Sequence, residues 1–166
     1  ALYSPSTGIV DSHGLMQALL QRLREAGATA AFRSEATSFR PERDGWDVEI
    51  NGGEYRFRTR VLVNSAGLAA DRVAALCGID VDAADYRLKF CKGSYFSASP
   101  APALKHLVYP APDREKEGLG IHATVDLAGR VRFGPDVEYV DRIDYGVDEG
   151  RRGRFHEAVR RYLPGM

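Results

Sequence analysis

The sequence predicts an α/β segment followed by an α+β segment, the first part of a layered α/β domain and the second an antiparallel sheet. Three observations lead there. A helix with one apolar stripe opens the chain. A short apolar run ending in a glycine turn and a second helix follows at 60–78. After Val81 the helices stop, and short strands alternate with Pro- and Gly-rich loops.

The first helix begins at Asp11 or Ser12, whose side-chain oxygen can accept an orphan N–H. Leu15, Leu19 and Leu23 recur every four residues, with Met16 and Leu20 beside them, which makes one apolar stripe. Gly27 sits where a left-handed stop would fall. Three β-type stretches are expected next, at 28–32, 36–41 and 46–50. In the last of these Trp46, Val48 and Ile50 share a face. Asn51-Gly52-Gly53 is a turn signal, and Tyr55 and Phe57 alternate beyond it, so a β-meander or hairpin is predicted. Residues 60–64 carry the run Val61-Leu62-Val63, which suits a strand buried on both faces of a parallel sheet. Ser65-Ala66-Gly67 follows, then a helix over about 70–77 ended by Gly78. Strand, glycine turn and helix in that order are the grammar of a nucleotide-binding α/β layer.

In the second part, strands are expected at 87–96, 106–109, 119–125, 131–133 and 137–140. Residues 113–117 read as a charged, solvated loop tip. A last helix is expected around 150–163, with Arg151, Arg152, Arg154, Arg160 and Arg161 forming a solvated basic face or, alternatively, an anion site.

Composition narrows the function classes. Hydrophobic residues make up 44% of the 166 and charged residues 28%, as in ordinary globular proteins. Lys+Arg and Asp+Glu both number 23, so no basic face is implied and nucleic acid is a poor partner. No apolar run approaches a bilayer-spanning length, and Ala1–Gly8 lacks the features of a targeting signal. Cys77 and Cys91 form no CxxC pair and read as small, partly buried thiols. His13, His106, His122 and His156 show no HxH or HExxH spacing, so no metal site is expected.

Glycine at the C-terminal end of a strand is what a dinucleotide needs, because side chains would obstruct its approach to the backbone. Asn64-Ser65-Ala66-Gly67 supplies such a place, although many buried strands end this way. The wider pattern is more specific. Ser4-Pro5-Ser6-Thr7-Gly8-Ile9-Val10-Asp11, a helix, and Val61-Leu62-Val63-Asn64-Ser65-Ala66-Gly67-Leu68 together resemble the middle of a D-amino-acid-oxidase-like flavoprotein. Further on come Lys92-Gly93-Ser94-Tyr95-Phe96, Val108-Tyr109-Pro110-Ala111-Pro112, Leu119-Gly120-Ile121-His122 and Phe133-Gly134-Pro135-Asp136. That series is similar to the L-2-hydroxyglutarate dehydrogenase/oxidase group, and it runs in order from about Leu2 to Val140.

The resemblance implies a fold and an organisation. Part of a Rossmann-like FAD-binding domain would be joined to an antiparallel-sheet substrate domain. Residues 1–12 would cross from the substrate domain, 13–82 belong to the FAD-binding domain, 83–150 form the substrate domain and 151–166 the closing helix. The family's opening GxGxxG turn and its later glycine-rich segment have no counterpart here. The 166 residues by themselves are therefore expected to carry no flavin and no activity.

The resemblance also implies chemistry: oxidation of a 2-hydroxy acid to a 2-oxo acid with FAD as cofactor and quinone or oxygen as electron acceptor. The protein would be cytoplasmic, or peripheral to the inner membrane. Thr37, Ala66 and Gly67 are the expected cofactor contacts. Lys92 and Tyr95 are candidates for the substrate, since carboxylates call for cationic and hydroxyl donors. Tyr109 and His122 are the catalytic candidates, with His122 as base. On a strand passing a flavin, His122 and Gly120 would share a face and Ile121 would take the other. His13, at a helix start, is a further candidate for the neighbourhood of the active site. Blander roles stand beside each: Lys92 as a surface charge, the tyrosines as packing with only the hydroxyl exposed, His122 as a satisfied strand histidine, and His13 as a surface residue. Two other functions compete. One is a flavin amine oxidase of the same fold acting on glycine, sarcosine or a D-amino acid. The other is a non-catalytic module that binds a ligand or partner.

Overall fold

A computed structural model of the chain describes residues 2–111 and 120–166. These gather into two compact units, Leu20–Lys89 and, separately, Ala1–Leu19 with Phe90–Met166. The expected charged loop at 113–117, Pro112, Gly118 and Leu119 lie outside the described residues.

Helix α1 (Ser12–Glu25) starts where Asp11 caps it: Oδ1 accepts from the backbone N–H of His13 at 3.1 Å and of Gly14 at 3.0 Å. It ends at Gly27, with the Ala28 N–H donating back to the Leu23 carbonyl. None of its residues is buried, and Leu15, Met16 and Leu19 of the apolar stripe are exposed.

The unit of Leu20–Lys89 is built on an antiparallel meander of β1 (Ala36–Glu42), β2 (Gly45–Ile50) and β3 (Tyr55–Thr59), in that spatial order. Alternation along β2 puts Val48 in the core opposite Phe39. Glu49, on the other face, accepts from Arg40 of β1 at 2.7 Å and sits 2.6 Å from Arg56 of β3, so one carboxylate ties three strands. The turn at Asn51–Gly53 joins β2 to β3 as expected. Helix α2 (Ala70–Leu76) packs beside β1. Its Asp71 is buried and accepts from the Leu88 N–H at 3.3 Å, which fastens the end of this unit to the helix.

Two expected strands are absent. Residues 28–32 form no strand: the run is alanine-rich, alanine has low strand preference, and a turn follows at Phe32 and Arg33. Residues 60–64 are not a strand either, and Val61 and Val63 are exposed. An extended segment needs neighbours to satisfy its backbone, and no strand among the described residues pairs with it. All the paired strands described are antiparallel.

In the other unit, β4 (Phe90–Lys92) pairs with β8 (Glu138–Val140). A three-stranded sheet holds β5 (Phe96–Ser97), β7 (Val131–Gly134) and β6 (His122–Val125), in that order. The expected strand at 106–109 contracts to a single bridge, Val108 to Ala123, on the outer side of β6. Ile121, Ala123, Val131 and Phe133 form the apolar face of this sheet, covered by Phe155 and Val159 of helix α3 (Arg152–Arg160). Phe96 meets Phe155 edge-on, ring centroids 4.7 Å apart, and the Tyr162 hydroxyl donates to the Ile121 carbonyl at 3.1 Å.

The single strand expected over 87–96 breaks into β4 and β5, and the cause is local. A Cβ on Gly93 would stand 2.6 Å from Pro135, so the chains approach too closely for any side chain there. The next N–H, of Ser94, donates at 2.9 Å to the carboxylate of Asp136 instead of to a strand carbonyl. Asp136 is buried, and its second oxygen accepts from Arg151 at 2.7 Å. The pair holds the Arg151 guanidinium charged more firmly than usual, with Glu138 2.9 Å away contributing. Arg151 is thus an internal clamp, not part of the solvated basic face expected of the last helix.

Asp136→Ala removes the acceptor of both donors, which leaves the Ser94 N–H unpaired and the Arg151 guanidinium with Glu138 and Asp148 alone. In the intact protein it is expected to lower Tm on the order of 5 °C. Asp136→Asn, which keeps an acceptor for Ser94, is expected to cost less. Thermal unfolding followed by circular dichroism reads both, and equal Tm for Asp136→Ala and wild type would refute the clamp.

Candidate functional site

The β5–β7–β6 sheet has two faces, and strand register decides what each carries. Phe96 opposes Phe133, Ala123 opposes Phe133 from the other side, and Val108 bridges Ala123. Those residues make the core face. The neighbouring positions point the other way, and register lines them up across the sheet as Tyr95, Gly134, His122 and Tyr109. Three of the expected site residues therefore come together on one face. Tyr109 lies 4.8 Å from His122 between ring centroids, tilted 41°, and Tyr95 lies 6.4 Å away, edge-on at 77°.

His122 is 6% exposed although it is on the face away from the core, because the two tyrosines cover it. Ile121 does take the opposite face, as alternation predicts. Gly120 does not share the His122 face as a strand residue. It turns out of the strand just before β6, and its carbonyl lies 3.3 Å from His122 Nδ1. A carbonyl only accepts, so Nδ1 carries the hydrogen and Nε2 keeps a lone pair. Burial pushes the imidazole pKa below its ordinary 6.5, and the Gly120 hydrogen bond offsets this only in part. Burial also pushes the Tyr95 hydroxyl up, with the proximity of Tyr109 adding to the effect. The arrangement offers a neutral nitrogen base beside two phenol hydroxyls.

Gly134 holds the row together. A Cβ there would fall 2.5 Å from the Ser94 carbonyl oxygen and 2.8 Å from the Tyr95 ring, and its φ of 147° is one that side chains rarely adopt.

Lys92 is not brought to this group. It lies on β4, where Nζ donates to Asp144 at 2.7 Å and to the Gly146 carbonyl at 3.1 Å, with Glu138 3.6 Å away. Asp144, the largest cause, holds its ammonium above the usual lysine pKa. One residue of the His122 face escaped the sequence reading: Arg132, exposed on β7 between Ser97 and Thr124. Its signal was the alternation of Val131-Arg132-Phe133-Gly134, which puts Arg132 opposite the two core residues.

The expected cofactor contacts lie in the other unit. Thr37 is engaged in the meander, its hydroxyl accepting from the Gly52 N–H at 3.0 Å. Asn64 folds the Ala66–Gly67 turn: Oδ1 accepts from the Ala66 N–H at 3.2 Å, and Nδ2 donates to the Ala70 carbonyl at 2.8 Å. Gly67 has φ +57°, and a Cβ built on it would meet nothing within 4 Å. The backbone at Gly67 is open to close approach, which is what a dinucleotide requires. Among the described residues no helix is long and apolar enough to cross a membrane, and no group of His, Cys, Asp and Glu could hold a metal ion.

The chain is 32% identical, over its whole length, to the mitochondrial L-2-hydroxyglutarate dehydrogenase of Arabidopsis thaliana and covers 42% of that protein. It is 28% identical to the L-2-hydroxyglutarate dehydrogenase of Escherichia coli K12 over 81% of the chain and 32% of the relative. The human mitochondrial L-2-hydroxyglutarate dehydrogenase is 28% identical over 82% of the chain and 31% of the relative. The chain thus spans about a third to two fifths of the length of these relatives. The sequence profile of the FAD dependent oxidoreductases called DAO matches residues 1–166, and the chain belongs to that FAD-dependent family.

Proposed function

We propose that the protein containing this chain oxidises a 2-hydroxy acid of the L-2-hydroxyglutarate type to the corresponding 2-oxo acid. The observation that carries the reading is His122, buried beneath Tyr95 and Tyr109 with Nδ1 donating to Gly120 and Nε2 left as the base. Relatives named L-2-hydroxyglutarate dehydrogenase at 28–32% identity support the substrate class.

In this reading residues 13–82 contribute part of a Rossmann-like FAD-binding domain and 83–150 the substrate domain. Thr37, Ala66 and Gly67 would contact the dinucleotide, with Gly67 offering bare backbone. FAD, when bound, supplies a two-electron acceptor for the hydrogen on the substrate's C2. His122 takes the hydroxyl proton onto Nε2 as the carbon–oxygen double bond forms. Tyr109 and Tyr95, both partly exposed, donate hydrogen bonds that orient the substrate oxygens.

The direct test is anaerobic mixing of the intact, flavin-loaded protein with L-2-hydroxyglutarate. Bleaching of the flavin, with 2-oxoglutarate formed and no ammonia, supports the reading; bleaching only by an amine substrate transfers it to the amine oxidases. His122→Ala should slow the bleaching about 10²–10⁴-fold while flavin stays bound. A wild-type rate would make His122 a packing residue.

Two further outcomes follow. Gly67→Val places a branched side chain where φ is positive and the cofactor would lie, so the folded variant should be purified with little flavin. Normal flavin content would remove Gly67 from the cofactor site. The depressed His122 pKa also sets a pH dependence. Its stabilising contribution is complete above the ordinary value of 6.5 and is lost as pH falls through the lower folded value, because the unfolded chain takes up the proton first. Tm measured from pH 7.5 downward should fall less in His122→Asn than in wild type.

A further inference from the structure

We infer that Arg132, flanked by the hydroxyls of Ser97 and Thr124, is the receptor for the second carboxylate of a dicarboxylate substrate. This rests on the 2-hydroxy acid reading above and adds to it the residue that selects a dicarboxylate.

The argument starts from register. Ser97 opposes Arg132 across β5 and β7, and Arg132 opposes Thr124 across β7 and β6. The three side chains form a row across three strands, on the face that carries Tyr95, His122 and Tyr109. Successive residues on one face of a strand are separated by about 7 Å, so this row lies one such step from the His122 row. A substrate with its hydroxyl at His122 and an extended carbon chain along the strands would bring its far carboxylate to Arg132.

The chemistry of the row suits an anion. A guanidinium presents a planar fork of donors that matches a carboxylate, and the Ser97 hydroxyl beside it adds a further donor. Thr124 is held in place because its Oγ1 donates to the Arg132 carbonyl at 3.2 Å. Arg132 is also unspent. It takes part in none of the ion pairs among the described residues, whereas Arg130 is bound to Asp126 at 2.7 Å and Arg151 to Asp136 at 2.7 Å. Lys92, the cation that the sequence suggested, is neutralised by Asp144 and Glu138. Among the described residues, Arg132 is therefore a cation on this face that no carboxylate has paired.

The test uses the intact, flavin-loaded protein and glutarate, which has both carboxylates and no hydroxyl to oxidise. Isothermal titration calorimetry compares glutarate with valerate, which has the same chain length and one carboxylate. Wild type should bind glutarate more tightly than valerate. Arg132→Gln should weaken glutarate binding about 10–100-fold and narrow the preference over valerate by a similar factor. Arg132→Lys should fall between the two. Arg132 is exposed and its side chain is not part of the core, so both variants should keep the wild-type Tm. Equal glutarate binding in Arg132→Gln and wild type, no glutarate preference in wild type, or equal losses for glutarate and valerate would each overturn the assignment. Flavin bleaching by L-2-hydroxyglutarate is measured in parallel. A wild type that binds glutarate through Arg132 but is not bleached keeps the carboxylate site and refutes the oxidation reading. A wild type that is bleached, with glutarate binding indifferent to residue 132, does the reverse.

Discussion

A buried carboxylate, Asp136, organises the unit that holds the candidate site. It accepts the Ser94 N–H on one oxygen and Arg151 on the other, so three stretches far apart in sequence meet at one side chain. A buried charge is costly unless paired and hydrogen-bonded, and here both conditions are met. The cost of losing any partner fixes the geometry. With Ser94 drawn to Asp136, the chain leaves β4 and re-enters the other sheet at Phe96, and Tyr95 is left facing His122. With Arg151 drawn to the same carboxylate, α3 is anchored where Phe155 and Val159 can cap the apolar face. One ionic contact thus sets the cover on one side of the sheet and helps to place the polar row on the other.

The separation of those two faces is a matter of phase. A shift of one residue in any strand would exchange its core and site positions. Phe96, Phe133, Ala123 and Val108 hold the phase because each is paired with a neighbour that is also apolar. The polar side chains are carried into alignment by the packing of the other face. They need no contacts of their own to find one another, and Arg132 and Tyr109 remain exposed.

Local features were legible in the sequence, and features that depend on distant partners were not. The cap at Asp11 or Ser12, the Gly27 stop, the period-two pattern of Trp46, Val48 and Ile50, and the turn at Asn51–Gly53 each depend on a few adjacent residues, and the structure has them, with Asp11 as the cap. The clustering of Tyr95, Tyr109 and His122 was suggested by resemblance but is explained only by cross-strand register. The run at 60–64 misled because apolar content cannot say whether neighbouring strands are at hand. Lys92 looked like a candidate for an anion because its partners, Glu138 and Asp144, stand some fifty residues further along the chain. Arg132 was overlooked for the complementary reason: a lone arginine in a strand acquires meaning only when its neighbours across the sheet are known.

Gly134 and Tyr95 constrain sequence change unequally. Shrinking Tyr95 would clear one of the two obstructions around Gly134, but the Ser94 carbonyl and the backbone φ of 147° would still forbid a side chain. Position 95 can therefore drift while position 134 stays glycine, and no order of single substitutions leads the other way. A mutational path that reshapes this face for a different substrate must work through the positions on it that carry side chains, and leave the glycine among them untouched.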